Sequence, residues 1–508
     1  MSQHGGSLIA LLSHVTTERI MGRTDRMIHA IRYDSRRVQQ GDVFIAIRGY
    51  EIDGNKFISS VIEKGASAIV TDDVETFEKI QINQRVEKEG VTCVLVDDSR
   101  IALAEFANVL YDFPTHDILL IGVTGTNGKT TTTHIVKHFL EFAGTRTGLI
   151  GTIESKFGET IIPMEHTTPE STELCEIISL MKEQGAQAVV MEVSSHALEL
   201  HRVHGFEFDA AIFTNLTQDH LDFHGTMESY ASAKSKLFQM LNTTATAVIN
   251  ADDQHSFQME QATKAQVIRY GVVNRVDVKG DRIVFSANGT TMRLRIGTKD
   301  WIVDSPYLGM FNVYNLLGGV SAALAAGISD SVIMESIPSL PAVRGRMERV
   351  PLPNGAIAIV DYAHTPDALQ RAIETAKMIV GQTGGKVITL FGCGGNRDSA
   401  KRPIMGEISS KLSDYTIVTS DNPRMEDPMA IISDVLNGVN RRETVSVIVD
   451  RGEAIEAALN MSRQNDVVLL AGKGHEDYQV IGTVKIHFDD LENVRAWVAQ
   501  SVGASDKR

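Results

Sequence analysis

Three cysteines in 508 residues are too few for a disulfide framework, and Cys93, Cys175 and Cys393 form no C-x-x-C pair. That excludes a disulfide-stapled secreted scaffold and fits a reducing cytosol. Positive charge is also scarce. The 49 Lys and Arg against 64 Asp and Glu leave a net charge of −15 at pH 7, which argues against a general nucleic-acid or membrane-surface binder. An anionic ligand would need a local patch of basic side chains and backbone N–H groups. No apolar run reaches the roughly 20 residues that span a bilayer. The first residues show no charged-then-apolar signal pattern, so a cytoplasmic location is expected. Repeats and low-complexity segments are absent from the sequence. An apolar fraction of 43% and a charged fraction of 22% are ordinary for a globular chain, and the length calls for two to four domains.

The most informative segment is Ile121-Gly122-Val123-Thr124-Gly125-Thr126-Asn127-Gly128-Lys129-Thr130-Thr131. An apolar run from Ile118 to Val123 predicts a buried strand. A Gly-rich turn follows, and then Ile135, Val136, Phe139 and Leu140 recur at helical spacing. Strand, glycine turn, Lys-Thr and helix together read as a phosphate-binding loop. Its backbone N–H groups and helix N-terminus favour a polyphosphate, Lys129 neutralises outer phosphates, and the Thr130 hydroxyl can hold Mg²⁺. The common pattern wants a glycine five positions before Gly128, and Val123 stands there instead.

The chain divides into three textures. Residues 1–115 mix short strands and helices, and Asp112-Phe113-Pro114-Thr115-His116 reads as a linker. Residues 116–340 alternate strand-like runs, such as 188–191 and 210–213, with helices, which predicts a mostly parallel sheet. Within them, 268–304 reads as hairpins turning at Asn288-Gly289. After a second linker at Ser339-Leu340-Pro341-Ala342, residues 341–508 alternate strands near 356–361, 386–391, 415–419, 445–449 and 466–471 with helices. The pattern is doubly wound, with ligands expected at the carboxyl ends of its strands.

Polar clusters follow many of these strands. Glu192 can supply a second Mg²⁺ contact or simply cap a strand. His220 and His224 have i, i+4 spacing but no Glu beside His220, so the metalloprotease motif fails and structural histidines remain. Lys234 on a helix reads, taken alone, as solvated. Arg344 and Arg346 around Gly345 can clamp a phosphate or be surface charges. In the last third, Asp361-Tyr362-Ala363-His364, Gly392-Cys393-Gly394-Gly395-Asn396-Arg397-Asp398, Ser420-Asp421-Asn422-Pro423-Arg424 and Gly472-Lys473-Gly474-His475-Glu476 all follow strands, so a cleft is expected there. The Gly392–Gly395 segment lacks the dinucleotide fingerprint, and Cys393 reads as a packing residue.

Four segments occur here in the order seen in Mur ligases, the ATP-dependent amino-acid-adding enzymes of peptidoglycan synthesis. They are Gly125–Thr131, Glu192-Val193-Ser194-Ser195-His196, Asp219-His220-Leu221-Asp222-Phe223-His224-Gly225 and Asp361-Tyr362-Ala363-His364-Thr365-Pro366. The resemblance covers nearly the whole chain. It implies an α/β protein of three domains: an N-terminal UDP-binding α/β domain, a central P-loop ATPase-like parallel-sheet domain and a C-terminal Rossmann-like doubly wound domain. Thr167-Thr168-Pro169 and Asp421-Asn422-Pro423-Arg424 resemble the member that adds the third residue, meso-diaminopimelate, to UDP-N-acetylmuramoyl-L-alanyl-D-glutamate.

The resemblance further implies an acyl-phosphate mechanism with ATP and Mg²⁺. Lys129, Glu192, His220 and Lys234 are the implied catalytic residues. Thr130, Glu192, His220 and a carbamylated Lys234 serve the metal. Gly125, Thr126, Asn127, Gly128, Lys129, Thr130, Thr131, Asn312, Arg346 and Asp361 hold the nucleotide. Ser35, Thr167, Thr168, Ser194 and Arg202 contact the UDP-muramyl peptide. Arg397, Asp421, Asn422, Pro423, Arg424, Gly472 and Glu476 take diaminopimelate. A monomer is expected. Leu200 and Tyr50-Glu51-Ile52 depart from some relatives. The alternatives are a lysine-adding form, folylpolyglutamate synthetase, or a non-catalytic binding protein.

Overall fold

The computed structural model describes residues 6–49, 52–81, 90–164, 166–286, 288–381 and 383–505. Three separate sheets organise them. The first has five strands, Thr17–Met21, Thr92–Val96, Ala68–Thr71, Val43–Ala46 and Ile31–Arg32 in spatial order, parallel except at the Thr17–Met21 edge.

The second sheet has eleven strands. Its parallel heart runs Thr147–Ile150, Ala188–Glu192, Leu119–Thr124, Ala210–Phe213, Thr246–Asn250, Gln266–Gly271. Apart from Gln266–Gly271, where Gln266 and Arg269 are exposed, these strands are buried almost throughout because helices cover both faces, and no alternation survives two-sided burial. The helix Lys129–Phe142 lays Ile135, Val136, Phe139 and Leu140 onto one face. Each such buried side chain contributes about 1.5–3 kcal/mol. The helix Met310–Ala325 packs beside it. There Gly319 matters, since a Cβ would fall 2.4 Å from Ile135 Cγ2.

Part of the expected hairpin region is corrected here. Val278–Ser286, Gly289–Ile296 and Lys299–Ser305 do form an antiparallel meander. Residues 268–271, however, belong to Gln266–Gly271, which pairs in parallel with Thr246–Asn250. Its partner arrives from across a helix, beyond the reach of a local pattern.

The third sheet runs Glu348–Pro351, Ile357–Asp361, Val467–Ala471, Val387–Phe391, Tyr415–Val418, Val445–Val447, parallel apart from its first strand. The five strands expected from the sequence are all present. Two elements went unread: the edge strand Glu348–Pro351, and a hairpin of Tyr478–Ile481 and Val484–His487. Among the described residues no helix is long and apolar enough to cross a membrane.

Candidate active site

The strand Leu119–Thr124 lies between Ala188–Glu192 and Ala210–Phe213, so the loop that follows it emerges at mid-sheet. Val123 is inside the strand and fully buried, and the turn begins only at Gly125. Gly122 serves packing, because a Cβ there would press 2.8 Å from the Phe208 ring. Gly125 and Gly128 adopt φ of 147° and 88°, and Gly128 caps the helix Lys129–Phe142. The loop is braced from the next strand end. Asn215 accepts from Asn127 N at 3.0 Å through Oδ1, and Thr214 Oγ1 donates to Asn127 O at 2.7 Å.

Lys129 Nζ donates to the carbonyls of Gly125 and Thr126, each at 3.0 Å. A lone helical lysine is ordinarily solvated, but Lys234, which the resemblance places among the catalytic residues, is 1% exposed, and its Nζ donates to the same Gly125 carbonyl at 2.8 Å. The reason is packing. Its helix, Met227–Gln239, turns this face inward, and the Tyr230 ring lies 4.5 Å from Nζ. Burial pushes the Lys234 ammonium well below the usual lysine range, and Lys129 beside it pushes the same way. Burial also lowers Lys129, against the pull of Glu192 and Asp219. Two lysines thus converge on one carbonyl, and desolvation disfavours the charged form of each.

Glu192 is 1% exposed and receives Thr152 N at 2.8 Å and Thr152 Oγ1 at 3.1 Å. Two acceptor positions of a carboxylate's roughly four remain. With the Thr130 hydroxyl, these oxygens suit a hard cation such as Mg²⁺, so the residues fit the metal the resemblance implies. His220, at φ 53°, packs its ring 4.8 Å from that of His196, and burial lowers its pKa.

Thr167, Thr168, Ser194 and Arg202 are brought together. Thr168 Oγ1 donates to Glu192 O at 2.8 Å and accepts from Ser194 N at 3.1 Å. Arg202 Nη1 donates to Thr168 O at 2.8 Å, and the Thr167 and Thr152 hydroxyl oxygens lie 3.0 Å apart, with the Thr152 proton already given to Glu192. Ser35 sits apart, in the 3-10 turn Ser35–Arg37 of the first sheet's domain, with no hydrogen bond to this group among the described residues. Leu200 ends the short helix Ser195–Glu199. Tyr50 and Glu51 lie outside the described residues.

The third sheet closes over the loop. Arg346 Nη2 donates to Thr130 Oγ1 at 3.2 Å, and its guanidinium lies 4.7 Å from the centre of the Tyr362 ring. Arg346 Nε is buried with no hydrogen-bond partner among the described residues, an unmet donor that suits a phosphate. Arg344 is tied to Asp489 at 2.6 Å, which makes it structural. Asp361 accepts from Met347 N at 2.8 Å, and burial raises its pKa against the pull of Arg346. Asn312 reaches the loop through a residue that sequence reading missed. Asn315 Nδ2 donates to Asn312 Oδ1 at 2.9 Å, and Asn315 Oδ1 lies where a Gly128 Cβ would be only 2.2 Å away. Asn315 sits one turn after Asn312, and that spacing was the available signal.

Asp421, Asn422, Gly472 and Glu476 meet past the carboxyl ends of Tyr415–Val418 and Val467–Ala471, the two strands that flank Val387–Phe391. Asn422 Nδ2 donates to Glu476 Oε2 at 2.9 Å, and a Cβ on Gly472 would fall 2.7 Å from Asp421 Oδ2. Arg424, at φ 51° after Pro423, donates from Nη1 to Gly395 O at 2.8 Å. That commits one prong of its fork to the backbone. Arg397 is exposed nearby, on the loop that carries Gly394 and Gly395. Cys393 is buried, its thiol pushed up by burial to about 12, as a packing residue should be.

Comparison with known proteins agrees with this geometry. The chain matches the Mur ligase middle domain over residues 123–324, the Mur ligase glutamate ligase domain over 345–474 and the Mur ligase family catalytic domain over 27–111. It is 42% identical over 489 residues to a UDP-N-acetylmuramoyl-L-alanyl-D-glutamate--2,6-diaminopimelate ligase from Syntrophomonas wolfei, covering 95% of this chain and 97% of that one. A protein of the same name from Caldanaerobacter subterraneus is 42% identical, with 97% and 99% covered. A solved structure of a ligase with this name superposes with a TM-score of 0.69 at 31% identity, covering 98% of this chain and 99% of that one. With three strand-end clusters gathered around one phosphate loop, and likeness along nearly its whole length, the chain belongs to the Mur ligase family.

Proposed function

We propose that this protein is an ATP-dependent ligase that joins meso-diaminopimelate to UDP-N-acetylmuramoyl-L-alanyl-D-glutamate, with residues 1–115, 116–340 and 341–508 as its UDP-muramyl, ATP and amino-acid domains. One observation carries the reading: Arg346, which leads into the third sheet, donates to Thr130 of the phosphate loop, so residues of both domains share one site. The names of full-length relatives support the substrate choice.

In this reading the terminal carboxylate of the UDP-linked dipeptide attacks the γ-phosphorus and ADP leaves. The diaminopimelate amine then attacks the acyl phosphate, and phosphate leaves. Such transfer is achieved by positioning and charge neutralisation. Lys129 and Arg346 offset the charge on the transferring phosphoryl group. Gly125, Thr126, Asn127, Gly128 and Thr131 shape the loop, and Asn312 and Asp361 hold its flanks. Thr167, Thr168, Ser194 and Arg202 orient the peptide end, and Ser35 the uridine end. Thr130, Glu192, His220 and carbamylated Lys234 would hold Mg²⁺, which shields the phosphates when bound. Arg424 and Arg397 meet the distal carboxylate, while Asp421, Asn422, Gly472 and Glu476 meet the amines. A monomer working in the cytoplasm completes the proposal.

Folylpolyglutamate synthetase begins close to its phosphate loop, whereas here a whole sheet spanning 17–96 precedes it. The test is ADP release with the UDP-linked dipeptide and a panel of amino acids. Release that needs both the dipeptide and diaminopimelate is expected. Release with folate and glutamate instead would overturn the proposal.

A further inference from the structure

Lys473 has no role in the reading above. It stands between Gly472 and Gly474 after the strand Val467–Ala471, with its side chain 0% exposed. A buried ammonium must place three protons or suffer a large desolvation cost. Its Nζ donates to Glu476 Oε2 at 3.1 Å and to the Tyr478 carbonyl, and it lies 4.0 Å from Asp421 Oδ1. One fixed cation thus stands between the two carboxylates of the amino-acid pocket.

The surroundings hold that arrangement. Gln479 Nε2 donates to Asp421 O at 2.6 Å, and Asn422 Oδ1 accepts from Val480 N at 2.9 Å. Arg424 N donates to Val480 O at 3.0 Å, and Gly482 N donates to Arg424 O at 2.7 Å. The hairpin of Tyr478–Ile481 and Val484–His487 is therefore stitched to the Asp421–Arg424 loop, with Lys473 at the seam.

We propose that Lys473 is a positioning residue for the amino-acid substrate: its side chain, set between Asp421 and Glu476, holds the two carboxylates side by side and aims them at the substrate's own ammonium. This rests on the pocket being the amino-acid site. Two carboxylates and one ammonium leave a single negative charge, which one incoming ammonium neutralises. Without Lys473 the two carboxylates repel, and one takes up a proton.

The other groups facing Glu476 do not replace this cation. Tyr362 and Tyr478 are phenols held neutral by burial first and by Glu476 next. Arg451 is already paired with Asp490 at 2.6 Å. His475 is held at about 3 by burial, and Arg424 is bonded to Gly395 O. The Glu476 carboxyl is raised, by burial first and then by Asp421, and Lys473 and Asn422 hold back part of that rise.

Lys473→Met keeps the stem and removes the charge. An opposite charge at this range moves a carboxyl by about one unit or more, so the acid limb of kcat/KM for diaminopimelate should shift up by at least about one pH unit. The KM for diaminopimelate should rise by about tenfold at neutral pH, with KM for ATP nearly unchanged. An unshifted acid limb, or an equal loss toward all substrates, would overturn the inference. A second measurement needs neither substrate nor that variant: an infrared pH titration of the full enzyme against Glu476→Gln. Glu476 ionised at pH 7 is expected, and a protonated Glu476 there would overturn the proposal. A wild-type enzyme inactive with diaminopimelate would instead defeat the substrate reading, leaving the infrared result to decide the charge arrangement.

Discussion

Lys129 and Lys234 share one acceptor, the carbonyl of Gly125, but reach it from different directions and differ in how readable they were. Lys129 is legible because a Lys-Thr after a glycine turn has few other uses. Lys234 is not, since a lone helical lysine is ordinarily solvated, and only the packing of Met227–Gln239 makes it 1% exposed. Lys129→Ala should leave the fold intact and lower kcat/KM by roughly a hundredfold or more, as expected when charge on a transferring phosphoryl group goes unmet. Steady-state kinetics decides, and turnover within about threefold of wild type would contradict the role. Burial, and Lys129 beside it, push Lys234 well below the usual lysine range, which favours the free amine that reacts with CO₂, and a carbamate there would be a metal-facing anion. Activity should fall when bicarbonate is stripped and return when it is restored. Lys234→Ala should regain part of its activity with a short carboxylic acid. Indifference to bicarbonate together with no rescue would count against carbamylation.

At the scale of elements, function sits where strands end. The loops after Leu119–Thr124, Ala188–Glu192, Ile357–Asp361, Tyr415–Val418 and Val467–Ala471 carry the phosphate loop, Glu192, Asp361 and the Asp421 and Glu476 pocket. Those strands were legible because two-sided burial writes continuous apolar runs. The parallel strand Gln266–Gly271 and the edge strand Glu348–Pro351 were not, because their partners lie far off in sequence or leave one side exposed. The hairpin that holds the Asp421–Arg424 loop was missed for a similar reason: Ile481, Val484 and Ile486 are exposed, so no buried face marks its period. The phosphate loop itself makes a sharp test. Gly128 is at φ 88°, and an added Cβ would meet Asn315 Oδ1 at 2.2 Å. Gly128→Ala should cost about 1–2 kcal/mol in backbone strain alone and also loosen nucleotide binding. A denaturant midpoint and a KM for ATP both equal to wild type would show that the turn does not need this glycine.

At the scale of the molecule, the second and third sheets meet at the phosphate loop, where Arg346 reaches Thr130, and the titration of buried histidines links the fold to pH. Burial holds His364 at about 4 and His475 at about 3, against about 6.5 in an unfolded chain. Below pH 6.5 the unfolded state therefore binds protons that the folded state refuses. Stability should fall as pH drops from about 6.5 toward 4, by up to about 1.4 kcal/mol per unit for each group. Raised carboxyls such as Asp361 act with the opposite sign, so the clean reading is the difference between wild type and His475→Gln. The variant should lose less Tm between pH 7 and pH 5, and an equal or larger loss would contradict the assignment.

The three-domain layout was legible from alternation alone. How the Asp421–Arg424 pocket tells one amino acid from another was not, because Lys473 and the hairpin act through contacts that sequence spacing does not encode. The central claim is that this pocket selects diaminopimelate, and the direct measurement is a competition. The enzyme, ATP, Mg²⁺ and UDP-N-acetylmuramoyl-L-alanyl-D-glutamate are supplied with equal diaminopimelate and L-lysine, and the products are weighed by mass spectrometry. A site built to pair a distal carboxylate rejects an analogue lacking it, so the diaminopimelate product should exceed the lysine product by roughly a thousandfold. Comparable amounts of the two products would contradict the account.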